Sequence, residues 1–312
     1  MAMNRKAFVF SFVVLLALIV IFAAILHREA VTDPSATGLH EHILSANNFM
    51  IQLEEDLERV LQITGYRSLL GLEEHISSTG EFLQNLSEPF AEVMFYGSVD
   101  GAPYSIMDNA TLTEFEKRMQ GIASGLGLDL KLVLDDVRIS HVSPFNLMVN
   151  STLTVALTTR DGKTSWNYTT NISRVFKIYD LKDPLHTVGT AGRVPNVIVM
   201  SNVTKPYITP TNDTSRLQTL LNNSWYINNT KAPSFLMRFT GNLSASPYGI
   251  SALIDTKELE SQDLTVYTDR SVVDFLYFGN QSTTTNRIVN MPAEFLLDDE
   301  HLPVYDAEGK TV

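Results

Sequence analysis

The chain has 312 residues, a formal charge of −12, 44% hydrophobic side chains and no cysteine. That length suits one to three domains with ordinary cores, and the lack of cysteine excludes disulfide frameworks, cysteine-ligated metals and thiol nucleophiles. An acidic balance without any basic run or stripe argues against a nucleic-acid partner.

The first element is apolar. Ala7 to Leu26, "AFVFSFVVLLALIVIFAAIL", has Ser11 as its one polar side chain. At about 1.5 Å per residue these twenty residues make a helix about 30 Å long, the depth of a bilayer's hydrocarbon core. The run is longer than a cleavable secretory signal needs and leads into bulky "ILHRE", so it reads as an uncleaved anchor. Arg5 and Lys6 precede it, while Arg28 beyond it sits beside Glu29. The positive-inside bias therefore keeps residues 1–29 as a cytoplasmic stub plus transmembrane anchor, and places the rest outside the cell membrane. The lipid bilayer is the first expected partner.

Leu39, Ile43, Ala46, Met50, Leu53, Leu57, Val60 and Thr64 recur at spacings of four and three, a helix signature. Leu44, Ile51 and Leu61 widen the stripe, which favours packing on the chain's own sheet over a coiled-coil seam. Further helices are expected at 66–78, at 81–94, and at 111–124 behind the cap signals Asn109 and Thr111 with Glu114. "LDLKLVLDDVRIS" then opens an antiparallel meander. In "NLMVNSTLTVAL" the apolar Leu147, Val149, Leu153, Val155 and Leu157 share the odd positions and leave Asn150 on the other face. After the turn at Asp161-Gly162, the next strand puts Trp166, Tyr168, Ile172, Phe176 and Ile178 on even positions, with Asn167 and Asn171 opposite. Residues 30–187 thus read as an α+β domain with amphipathic helices on an antiparallel sheet.

Gly189, Gly192 and Pro195 punctuate the start of a second domain, 188–312. Short apolar runs at 196–200, 234–239, 271–278 and 293–297 read as strands of a mainly β fold, with one short helix at 215–223. Arg238 and Asp274 interrupt two of these runs. Each charge either reaches an edge or joins the other as a buried pair.

Eleven asparagines begin an Asn-x-Ser/Thr triplet: Asn85, Asn109, Asn150, Asn167, Asn171, Asn202, Asn212, Asn222, Asn228, Asn242 and Asn280. Random placement gives roughly 3.5 such triplets, so the threefold excess, all beyond the anchor, predicts N-glycosylation of several. The stretch 39–84 carries none and is the widest candidate surface for self-association or other surface proteins.

Catalytic and cofactor motifs are missing. Gly121, Gly125 and Gly127 end a helix and enter a strand, the reverse of a nucleotide-binding turn. His40 and His42 do not share a helix face. Asp298 to His301, with Asp306 and Glu308, offers carboxylates for calcium or simply a solvated acidic terminus. The expectation is no enzyme and no cofactor, but a surface protein with a structural or adhesive role. The alternative is an anchored hydrolase or solute-binding protein.

"NRKAFVFSFVVLLALIVIFAAIL", followed by an amphipathic helix and a sheet, resembles the layout of archaeal type IV pilin-like proteins, and "PSFLMRF", "YGISALI" and "SVVDFLYF" are similar to anchored archaeal surface proteins. The pilin resemblance implies processing at Lys6-Ala7, leaving Phe8 first. Phe12 then stands at the fifth mature position, where pilins commonly carry Glu, and Pro34 with Gly38 is expected to break the long pilin helix.

Overall fold

The computed structural model describes residues 34–280 and 284–312. The expected membrane span, Arg5, Lys6 and Ala7 lie outside the described residues. Among those described, no helix is long and apolar enough to cross a membrane.

Helix α1, Pro34–Thr79, is a single rod of 46 residues, about 69 Å at 1.5 Å per residue. Two expectations are corrected here. Gly38 does not interrupt the helix, and the separate helix at 66–78 is continuous with the one before it. Gly65 explains the second point: a Cβ there would lie 2.8 Å from Val149 Cγ2. The glycine lets the helix backbone settle on the sheet, and that contact offsets its low helix propensity. The buried stripe runs through Ala46, Phe49, Leu53, Leu57, Leu61, Leu72 and Ile76. Met50 and Val60 are only partly buried, while Ile43, Leu44 and Ile51 are exposed. A stripe spaced for heptads drifts around a straight helix, so Phe49 and Leu61 take the core positions expected for their neighbours. Gly80, at φ +71, ends the rod.

Helix α2, Ser87–Tyr96, starts six residues later than the 81–94 expectation. Strands β1, Ser98–Val99, and β2, Ala102–Pro103, form a small hairpin. Helix α3, Leu112–Gly125, is capped as the sequence indicates, with the Thr111 hydroxyl accepting from Glu114 N and the Glu114 carboxylate accepting from Thr111 N. Strands β3, Leu128–Ser143, β4, Asn146–Thr159, and β5, Ser165–Lys177, make an antiparallel meander in the order β3-β4-β5. On β4 the odd positions 147 to 159 are buried and the even ones half-buried. The covering helix is α1, with Tyr66 edge-on to Phe176, Tyr168 donating to Glu54 at 2.8 Å and Arg174 paired with Glu58 at 3.2 Å. Packing on the chain's own sheet is therefore the arrangement observed.

The expectation of a mainly β region after residue 187 is corrected. Following α4, Pro184–Gly189, come α5, Ser215–Asn223, β6, Ile227–Asn228, and α6, Phe235–Arg238. Then follow β7, Ile250–Ser251, α7, Thr256–Ser261, α8, Asp274–Phe278, β8, Thr285–Arg287, and β9, Leu296–Asp298. "SFLMRF" and "SVVDFLYF" form helical turns, because a short apolar run buried on all sides carries no periodicity to separate strand from helix. The helix at 215–223 is where it was expected. The main core also takes in Tyr226, Phe235, Phe239 and Ile250, and a second core gathers around Leu217, Val273, Phe275 and Tyr305. The class is α+β with small antiparallel sheets.

Candidate functional site

Three features stand out: the acceptor asparagines, a buried ion cluster, and a cavity beside a histidine. Nine of the acceptors, Asn85, Asn109, Asn167, Asn171, Asn202, Asn222, Asn228, Asn242 and Asn280, are exposed. Asn109 and Asn280 sit at φ +58 and +51, the left-handed region that asparagine tolerates. Asn150 and Asn212 are half-buried. The Asn150 Oδ1 is enclosed without a partner. The Asn212 Oδ1 accepts from Lys310 Nζ at 2.7 Å, and the hydroxyl of its triplet, on Thr214, is buried and donates to Asn290 O. The face assignment on the sheet holds: Asn150 pairs with Ser173, Asn171 with Thr152 and Asn167 with Ala156, all on the side away from α1.

The ion cluster answers the question posed by Arg238 and Asp274. Arg238 Nη1 donates to Asp183 Oδ2 at 2.5 Å and to Asp274 Oδ2 at 2.7 Å, and Nη2 donates to Ile250 O. All three charged side chains are fully buried. Asp183 also accepts from Tyr226 Oη at 2.7 Å and caps α4 through Leu185 N. Burial would raise the Asp183 carboxyl, but the Arg238 charge and these hydrogen bonds outweigh it and hold the group below the usual carboxylate range. The cluster ties α4, α6 and α8 together. In the sequence Asp183 shows only as an Asp-Pro step near the end of the first domain, and the helix that it caps was not expected.

Asp183, His186 and Asp274 are also the one group of three ligand-type side chains, among the described residues, whose ligand atoms come within 4.8 Å of one another. The Arg238 guanidinium already occupies the facing carboxylate oxygens, so a metal would have to approach a resident cation. Desolvation lowers the His186 pKa despite the two carboxylates, keeping the imidazole neutral at pH 7. The arrangement is a structural tie rather than a metal centre.

The acidic terminus does not gather for calcium. Asp298 is buried, with Oδ1 accepting from Ser271 Oγ at 2.8 Å and Oδ2 facing His301 Nδ1 at 2.7 Å, while Asp299 and Glu300 are exposed. Asp306 binds Tyr207 N, and Glu308 is exposed. Burial acts to raise the Asp298 pKa, but the bond to His301, its charge and the Ser271 hydroxyl bring it down. His301 Nδ1 is held against the Asp298 carboxylate, and Nε2 is enclosed without a partner. His301, Asp298, Lys231, Leu243 and Phe275 line a cavity of about 520 Å³. The space is of ligand size, and the His301 ring forms part of its wall with Nε2 enclosed.

Compared with known proteins, the chain matches no family model, no curated protein and no solved structure.

Proposed function

We propose that this protein is a single-pass, N-glycosylated cell-surface protein, held by residues 7–26 with its N-terminus in the cytoplasm and working in adhesion or envelope structure. The observation that carries this reading is the placement of the acceptors: all eleven follow the apolar span, and nine lie exposed over both the sheet and the C-terminal region. A shielded surface of this kind suits contact rather than turnover. Glycopeptide mapping of protein from its native membrane tests it. Sugar is expected on most of the nine exposed sites, with Asn150 and Asn212 bare or least occupied, and a chain bare at all eleven would reject the glycoprotein reading. N-terminal analysis of the same material reads the processing: a start at Phe8 supports the pilin-like route, and an intact start supports a simple anchor.

The Asp298–His301 cavity favours a second reading, an anchored solute-binding protein or hydrolase. Nitrogen NMR of the His301 ring, recorded against a panel of neutral saccharides, tests it. A saccharide-dependent shift of the ring nitrogens that disappears in Asp298→Asn is the expected sign, and no shift across the panel retires this reading for saccharides.

A further inference from the structure

The sheet and the C-terminal region meet at a histidine with no charged partner. His141 lies near the end of β3, where the register against β4 slips between His141 and Ser143. A break of this kind re-aims a side chain, and here the half-buried imidazole reaches the start of α6. Nδ1 stands 3.2 Å from Ser143 O on its own strand. Nε2 accepts from Leu236 N at 3.4 Å, across 95 positions of the chain. The ring of Tyr248 covers the imidazole face, with centroids 5.5 Å apart and planes inclined by 13°.

The bond to Leu236 fills a gap in α6. The first N–H groups of a helix have no partner inside it and need an outside acceptor. Ser234, at the N-cap, supplies none from its side chain. Among the described residues, Leu236 N has no other backbone acceptor, so an imidazole from the sheet takes the capping role.

The two bonds also fix one neutral tautomer. A carbonyl oxygen only accepts, so Nδ1 carries the proton; a backbone N–H only donates, so Nε2 keeps its lone pair. A second proton on the ring sets N–H against N–H at Leu236 and removes the acceptor. The Ser143 bond and the Tyr248 stack survive, because an imidazolium still donates from Nδ1 and is attracted to an aromatic face. No carboxylate compensates. On β3 the nearest charge along the strand, Arg138, is exposed and paired with Asp136. On α6, Arg238 is held in the buried cluster. Leu147 and Phe176 stand opposite on β4 and β5, and the 246–249 turn brings only the Tyr248 hydroxyl.

We propose that His141 is an acid-sensitive latch between the sheet and the C-terminal region: neutral, it caps α6 from the broken end of β3, and on taking a proton it releases Leu236 while staying beneath Tyr248. Burial lowers the ring's pKa, against a smaller upward pull from the Ser143 carbonyl. The folded value therefore lies below the unfolded one. The latch's contribution is fully present above the unfolded value and is lost as pH falls through the folded one. Leu236 shares its short helix with Arg238, so the latch steadies the element that carries the ion cluster.

Nitrogen NMR of the full-length chain in detergent, with the His141 ring assigned through bonds, tests this. At pH 8, Nδ1 should be the protonated nitrogen and Nε2 the bare one. As pH falls through the ring's own titration, the protection of the Leu236 amide against hydrogen exchange, corrected for pH, should drop about fivefold, the scale of one hydrogen bond lost. In His141→Gln that drop should be absent. A proton on Nε2 at pH 8 overturns the latch. So does a Leu236 amide whose protection ignores the titration, or follows pH alike in both chains. The tautomer and the titration are read in the native chain, so they decide the matter even where His141→Gln does not fold.

Discussion

Arg238→Ala is expected to destabilise the protein by about 3–5 kcal/mol, because it leaves Asp183 and Asp274 as buried carboxylates with no cation between them. Folded domains hold only about 5–15 kcal/mol in reserve, so the variant should unfold at a far lower urea concentration or fail to accumulate. Arg238→Met paired with Asp274→Asn supplies the sharper result. The double change leaves one carboxylate, Asp183, without its cation where Arg238→Met alone leaves two, so it should cost well below the sum of the two singles, a coupling of about 1 kcal/mol or more in magnitude for residues in direct contact. Additive single costs would mean that Arg238 and Asp274 do not act as a pair. The tie also explains why three short helices, which are too short to hold shape alone, stay fixed in the C-terminal region.

Glu73→Gln is expected to act in the opposite direction and to flatten a pH dependence. Glu73 lies on the buried side of α1 with Oε1 unpartnered. Burial pushes its carboxyl up to about 8; the Lys182 backbone and ammonium draw it down, and Asp183 pushes it up. The folded pKa stands above the unfolded one, so the folded chain binds the extra proton. Its contribution to stability is fully present below about 4.5 and is lost as pH rises through about 8. At about 1.36 kcal/mol per pH unit the whole displacement is worth on the order of 5 kcal/mol. Native protein should therefore lose urea resistance between pH 5 and pH 9. Glu73→Gln should lose less over that range and be the more stable of the two at pH 9. Parallel pH profiles for the two chains would show that Glu73 is not the group responsible.

The sheet was legible because alternation is a strong signal when one face is covered. Leu147 to Leu157 could occupy only one side, and the positions of Asn150, Asn167 and Asn171 followed from that parity. The α3 cap was legible for a similar reason, since Thr111 and Glu114 stand at the spacing a capping box needs. The C-terminal region was not. Its cores close around runs such as "SFLMRF" that are buried on every side, and its shape depends on contacts between residues far apart in sequence. Asp183 meets Arg238 and Tyr226 across 55 and 43 positions, and Ser271 meets Asp298 across 27. No local pattern marks such meetings. The charged residues inside apolar runs were the one available hint, and at Arg238 and Asp274 that hint pointed to the tie. His301 gave a weaker one: "DDEH" reads as acidic terminus, and only the fold turns Asp298 inward to orient the imidazole.

The most direct test of the surface-protein proposal is protease treatment of intact cells that make the full-length chain. Fragments from residues beyond 30 should be released from unbroken cells, with sugar on peptides such as that containing Asn167 and Asn171, while the stub before residue 7 stays protected until lysis. A chain that is cut only after the cells are broken, and whose peptides carry no sugar, would contradict the proposal.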